Sequence, residues 1–261
     1  HLQGGEVTGS IDEKVRHAIT KLSDVHLVSN QIAYDRVVKM GENEDMVFNT
    51  GCPSIDIAAE VLNDKELDFD PIATYGGVGA ELDLSKGYIV VMQHPVTTEH
   101  EKSKKYVTET LEAVRKLNMP TLWFWPNVDA GSDGTSNGIR SYREQYPLNN
   151  IHFIKNVDPN DFLKLLLNSR GIVGNSSVAI RECSFLGVPA INIGTRQSGR
   201  QRGLNVVDVD YNTDQIYKAL THMVERGNTG SEEIYGDGKA GEKIADVLSK
   251  CPLTFEKRLT Y

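Results

Sequence analysis

From about residue 84 onward, short continuous apolar runs alternate with amphipathic stretches, and few backbone arrangements accept that alternation. The runs GYIVVMQ (87–93), TLWFW (121–125), IHFIK (151–155), GIVG (171–174), VPAINIG (188–194) and LNVVDVD (204–210) have the length and composition of strands. Between them lie TEHEKSKKYVTETLEAVRKLN, NGIRSYREQY, PNDFLKLLLNS, the segment 176–187 and TDQIYKALTHMVER, which read as helices. Strands apolar on both faces must be covered on both, so a parallel sheet flanked by helices is predicted, a Rossmann-like α/β unit.

The first 65 residues hold fewer units: a helix over 11–22, a strand VHLVS, a helix QIAYDRVVKMG, a strand MVFNTG and a helix starting near Ser54. Two strands are too few for an independent sheet domain. Residues 1–66 are therefore expected to be the back half of a first Rossmann-like domain. Residues 67–240 would form a C-terminal nucleotide-binding Rossmann-like domain, and 241–261 a helix packing back on the first. The Gly-, Asp- and Pro-containing stretch LDFDPIATYGGVGAELDLSKG (67–87) reads as the connection between them. The chain begins at His1, already inside a motif, and reads as a piece of something longer.

Composition excludes several classes of function. The 36 acidic residues against 28 basic ones give a formal charge of −8, and no Lys/Arg-rich run offers a footprint for duplex nucleic acid. Cys52, Cys183 and Cys251 are far apart and form no C-x-x-C pair, which argues against zinc or a disulfide framework. No apolar run approaches the ~18 residues of a membrane span, and the first residues are not a signal peptide. A soluble, cytoplasmic protein is expected.

In open α/β sheets, ligands sit beyond the carboxyl ends of the strands, and that rule selects candidates. His94 follows IVVMQ, held extended by Pro95. Asn127 and Asp129 lie in the polar loop PNVDAGSDGTSNG after TLWFW, which reads equally as a surface turn or a binding loop. Asn175-Ser176-Ser177 follows GIVG as a helix start whose N–H groups and hydroxyls suit a phosphate, though an ordinary N-cap accounts for it too. Glu182, in the first turns of that expected helix, could accept both hydroxyls of a ribose. The loop GTRQSGRQRG carries Arg196, Arg200 and Arg202, suited to a diphosphate or simply solvated. Near the start, Glu6, Asp12, Glu13, Arg16 and His17 cluster in and after a Gly-rich loop; helix capping explains Asp12 and Glu13, and acid–base chemistry does so as well.

The ordered motifs GGEVTGSIDEKVRHAITKLS, GCPSID, QHPVTT, PNVDAGS, GNSSVAIRE, GVPAINIGTRQ and IYGDG cover nearly the whole chain. Together they resemble the hydrolysing UDP-N-acetylglucosamine 2-epimerases of sialic and legionaminic acid biosynthesis. The resemblance implies a GT-B arrangement, two Rossmann-like domains with the nucleotide sugar between them, and a preceding segment with the first half of the N-terminal domain and one catalytic aspartate. It implies that Ser176 and Ser177 contact the diphosphate, Glu182 the ribose, Arg196 the binding cleft, and His94 the active site near the diphosphate. Asp12 and Glu13 match the acidic pair credited with proton transfer. Gln3 departs from the family, where relatives often place a catalytic Glu, which leaves Glu6 as a substitute candidate. Arg16, Asn127, Asp129 and Asn175 complete the expected substrate contacts. The implied reaction is anti elimination of UDP to a 2-acetamidoglucal followed by hydration. No cofactor and no metal are expected, and the implied partners are a UDP-sugar and further copies of the chain, as a homodimer or homotetramer. A GT-B glycosyltransferase and a non-catalytic nucleotide-sugar binder remain the alternatives, and the sugar itself stays open.

Overall fold

The computed structural model describes residues 1–7, 12–126, 131–252, 256–258 and 260. Its first part comprises α1 (Asp12–Leu22), β1 (His26–Val28), α2 (Gln31–Lys39), β2 (Val47–Asn49), α3 (Pro53–Asn63), α4 (Pro71–Tyr75) and β3 (Val78–Gly79). There follow β4 (Ile89–Met92), α5 (Ser103–Leu117), β5 (Thr121–Phe124), α6 (Ser132–Gln145), β6 (Ile151–Ile154) and α7 (Pro159–Leu167). The last part holds β7 (Ile172–Gly174), α8 (Glu182–Leu186), β8 (Ala190–Ile193), β9 (Val206–Val209), α9 (Thr213–Arg226) and α10 (Ala240–Lys250).

Strands β3 to β9 form one sheet in the order β3-β6-β5-β4-β7-β8-β9, and all pairs are parallel except β3 with β6. Side chains alternate across it. Val90, Leu122, Phe124 and Ile154 enter the core under α3, α7 and α8, whereas Ile89, Val91, Trp123 and Phe153 enter the opposite core under α5, α6 and α9. Each fully buried aliphatic or aromatic side chain stabilises the fold by about 1.5–3 kcal/mol, so the two-faced apolar strands are explained by two cores. The chain winds outward from β4 through β5 to β6, then restarts at β7 on the other side of β4. The switch point therefore lies between β4 and β7, and their carboxyl ends open the crevice where a ligand would sit.

The remaining strands, β1 and β2, pair in parallel over a small core of Val28, Ala33, Val37 and Val47. The amide of Leu27 donates to the carbonyl of His1 at 2.9 Å, so the first residue borders β1.

Three expectations need revision. The stretch 67–87 is more than a connection, because it contains α4 and the antiparallel edge strand β3. Two of its glycines serve strand approach: Gly77 has φ +128° and Gly79 φ +140°, and a Cβ would stand 2.3 Å from the carbonyl oxygen of Phe153 or 2.4 Å from that of Ile151. Helix α3, assigned from sequence to residues 1–66, buries Ile55, Ala58 and Val61 in a core of the large sheet. That apolar stripe is more than a two-stranded ribbon can cover. Finally, 176–187 is not one helix: a 3-10 turn at Ser177–Ala179 is followed by a break and then the five-residue α8.

Helix α10 starts on α3, since the amides of Ala240 and Gly241 donate to the Asp56 carboxylate at 2.9 and 2.7 Å. Beyond it, Lys257 pairs with Glu42 at 2.6 Å and the Thr260 amide donates to the Gly41 carbonyl at 3.3 Å. Among the described residues no helix is long and apolar enough to cross a membrane.

Candidate functional site

Asn175 organises the crevice. Its backbone amide continues the β4–β7 ladder by donating to the Met92 carbonyl at 3.1 Å, and its side chain turns back across the gap. There Oδ1 accepts from the amide of His94 at 2.7 Å and Nδ2 donates to the carbonyl of His94 at 2.8 Å. Both ends of the carboxamide are used, so Asn175 holds the backbone of His94. From the next strand end, Arg196 Nη1 and Gln197 Nε2 both donate to the Asn175 carbonyl, at 3.2 and 2.8 Å.

His94 is 6% exposed. Burial, and then the nearby Arg196 cation, lower its pKa from 6.5 to about 4, so at neutral pH the ring is an uncharged imidazole with one N–H to donate. Positive charge at this end of the crevice comes from Arg196. The loop that carries Arg196 is anchored by Thr195, whose hydroxyl donates to Glu99 at 2.7 Å. Glu99 also accepts from Tyr106 at 2.5 Å, and the Tyr106 ring stacks on Tyr211 at 3.6 Å between centroids.

The segment after Asn175 carries the serines. Ser176 Oγ caps the short 3-10 turn by accepting from the amide of Val178 at 3.5 Å. Ser177 Oγ accepts from Arg181 Nη2 at 3.2 Å. Arg181 also donates to Glu182 Oε1 at 3.4 Å and, through Nη1, to Cys52 Sγ at 3.7 Å. The charged pair in this apolar stretch is thus largely internal. Two atoms are left over: Arg181 Nε and Glu182 Oε2 are buried and have no hydrogen-bond partner among the described residues. An unpaired buried carboxylate oxygen is costly, and a hydroxyl donor from a ligand would remove that cost.

The candidates near the chain start are arranged differently. Asp12 is exposed and opens α1, next to half-buried Glu13, whose Oε1 lies 3.5 Å from His17 Nε2. Arg16 Nη1 donates to the carbonyl of Glu6 at 3.3 Å. The Glu6 side chain is buried, accepts from the Ser29 hydroxyl at 2.7 Å and pairs with Arg200 at 3.3 Å. Arg202 likewise turns to Asp208 at 3.1 Å, so of the three loop arginines only Arg196 reaches Asn175. Asn127 and Asp129 lie outside the described residues.

Structure thus groups His94, Asn175 and Arg196 on one side of the switch point, and Ser177 with Glu182 just beyond it. Sequence reasoning gave no role to Arg181, Gln197, Tyr211 or the Glu6–Arg200 pair. Arg181 carried a signal, as a cation within an apolar run; Gln197 carried none. Chemically, the crevice offers a neutral imidazole, a guanidinium and hydroxyls for an anion, with a carboxylate for hydroxyl groups.

A family profile described as UDP-N-acetylglucosamine 2-epimerase matches residues 1–249. The chain is 32% identical over 253 residues to a "UDP-N,N'-diacetylbacillosamine 2-epimerase (hydrolyzing)" of Legionella pneumophila, covering 97% of this chain and 64% of that protein. It is 31% identical over 256 residues to a "UDP-N-acetylglucosamine 2-epimerase" of Neisseria meningitidis, covering 95% of this chain and 64% of that protein. The chain therefore spans about 64% of the length of these relatives. In fold it is similar to the crystal structure of a UDP-GlcNAc 2-epimerase from Neisseria meningitidis bound to UDP-GlcNAc, with a TM-score of 0.73 and 19% identity over 96% of this chain and 69% of that one. A Methanocaldococcus jannaschii UDP-GlcNAc 2-epimerase in complex with UDP-GlcNAc and UDP is similar at a TM-score of 0.69 and 18% identity, over 95% of this chain and 68% of that one.

Proposed function

The chain belongs to the UDP-N-acetylglucosamine 2-epimerase family, and from that premise we propose that its protein is a hydrolysing epimerase converting UDP-N-acetylglucosamine to N-acetylmannosamine and UDP. The observation that carries the reading is Glu182 Oε2, a buried carboxylate oxygen without a hydrogen-bond partner among the described residues, on a side chain that shares Arg181 with Ser177. A ribose hydroxyl supplies the missing donor.

The reaction starts when a base takes the C2 proton and the C1–O bond breaks on the opposite face. The electron pair of C2–H becomes the C1–C2 double bond of a 2-acetamidoglucal, and UDP departs with the electrons of C1–O. Water then adds its oxygen to C1, and a proton returns to C2 on the other face, which inverts that centre. Asp12 and Glu13 are assigned the proton transfers. The leaving diphosphate is assigned to Ser176, Ser177, Arg196 and His94. His94 acts there as a neutral N–H donor, because burial and Arg196 keep it uncharged at neutral pH.

The test is an NMR time course with UDP-N-acetylglucosamine in deuterated water. Free N-acetylmannosamine deuterated at C2, together with UDP, is expected, and Glu182→Ala weakens UDP binding by about tenfold or more. Release of sugar without deuterium at C2 would sink the proposal. A parallel incubation with UDP-N,N'-diacetylbacillosamine decides between the sugars named for the two relatives.

A further inference from the structure

The Glu6–Arg200 ion pair lies at a junction that the assigned chemistry does not use. Glu6 is 4% exposed and Arg200 9% exposed, and their contact joins the segment before α1 to the glycine-rich loop after β8, 194 positions along the chain. Burying such a pair is expensive unless its geometry is well supported. Here neighbouring groups hold the pair in place, while Glu6 Oε2 and Arg200 Nη1 have no hydrogen-bond partner among the described residues. Ser29, at the end of β1, donates to Glu6 Oε1 at 2.7 Å, and Arg200 Nε also donates to the Val7 carbonyl at 3.4 Å. Arg36 on α2 grips both sides, donating to the carbonyls of Gly5 at 3.1 Å and Gly199 at 3.2 Å.

From Arg200 the contacts continue into the crevice. Arg202 Nη1 donates to the carbonyls of both Arg200 and Gln197 at 2.7 Å, Gln197 donates to the carbonyl of Asn175, and the Asn175 carboxamide clasps His94. The Glu6–Arg200 ion pair, followed by these hydrogen bonds, thus connects Glu6 through the loop backbone to the backbone of His94. At the other end, Glu6 is held by Arg16 of α1, the helix that carries Asp12 and Glu13.

We propose that Glu6 and Arg200 are a positioning pair: their buried contact fixes the arginine-bearing loop of residues 194–203 to the segment leading into α1, setting the diphosphate-binding groups against the proton-transfer groups. Glu6 then has no proton to move, which removes it from the acid–base candidates. This rests on the functional reading above, but it makes a separate prediction about the loop.

The experiment compares the wild-type protein with Glu6→Gln, Arg200→Lys, Arg200→Gln and the double variant Glu6→Gln/Arg200→Gln. Three quantities are measured on each: UDP affinity by calorimetry, turnover of UDP-N-acetylglucosamine, and backbone hydrogen exchange. In Glu6→Gln, exchange over residues 195–200 rises while that of β4 and β7 does not change. UDP affinity changes by less than about threefold, whereas kcat falls at least about tenfold with KM nearly constant. Arg200→Lys recovers part of the turnover lost in Arg200→Gln, and the double variant is no worse than the poorer single one, as expected of two groups acting as a unit.

Unchanged exchange in the loop overturns the proposal whatever the activity. So do additive losses in the double variant, or a fall in turnover that matches a fall in folded fraction. A wild-type protein that binds no UDP and turns over no sugar, yet shows the loop response, would overturn the functional reading and leave the pair as the device that orders the loop.

Discussion

Acidification provides a direct probe of the crevice, because His94 ionises only at a cost to the fold. Its pKa stands at about 4 in the folded protein against 6.5 for a free imidazole, through burial first and the Arg196 cation second. Between these values the unfolded chain binds a proton that the folded one refuses, so protons pull the equilibrium toward unfolding. The stability is complete above about pH 6.5 and is lost as pH falls toward 4, and the difference in pKa is worth roughly 3 kcal/mol. The measurement is urea unfolding followed by tryptophan fluorescence at a series of pH values, for the wild type and for His94→Gln. Buried and paired groups elsewhere, such as His26 and Glu112, contribute equally to both and cancel. The wild type is expected to lose roughly 2–3 kcal/mol more than the variant between about pH 7 and pH 4.5. Parallel curves would refute the reasoning, since they would mean the ring is hydrated and titrates normally. A neutral donor at the diphosphate would then be untenable at mildly acidic pH.

Two further expectations concern the fold that carries the site. Asp56→Ala removes the acceptor of the first two amides of α10 and should cost about 1 kcal/mol, with faster hydrogen exchange confined to residues 240–250. Gly174→Ala places a Cβ 2.0 Å from the carbonyl oxygen of Met92 at φ +139°; it is expected to destabilise the protein by more than ~3 kcal/mol in urea, and a smaller loss would show that β4 and β7 can separate.

The strand pattern from residue 87 onward was legible because the apolar runs of β4 to β8 alternate between two cores. Val90 and Leu122 face one, Val91 and Trp123 the other, and no arrangement with a solvated face would tolerate both sets. Helix α9 was equally legible, since TDQIYKALTHMVER is capped by Asn212 and ends before Gly227. The edge strand β3 was hidden, because glycines at a close backbone approach have the same composition as glycines in a linker. Helix α3 was placed with its neighbours in sequence, although its partners in space come more than a hundred positions later. In the site, the elements at strand ends could be found by rule, but the partners of each side chain could not. Asparagine at a strand end can bind a ligand or brace the backbone; only the spacing between β4 and β7 shows that the Asn175 carboxamide spans the gap to His94.

The same contrast applies to the motifs that made the chain recognisable. GCPSID and IYGDG stand among them, and their contacts run largely to each other and to the loop after β8. The amide of Cys52 donates to the carbonyl of Tyr235 at 2.7 Å, Asp56 caps α10, and the Tyr235 hydroxyl donates to the carbonyl of Gln201 at 2.8 Å. These two motifs therefore meet each other, and they brace the far end of the loop that bears Arg196 and Arg200. A cleft enzyme needs two kinds of constancy, in the groups that touch the substrate and in the joints that fix their spacing. Arg181 is such a joint: it orients Glu182 and Ser177 while reaching Cys52 in the GCPSID turn. A cation placed there, instead of the leucine a simple core would hold, joins Glu182, the residue proposed to hold the ribose, to the brace.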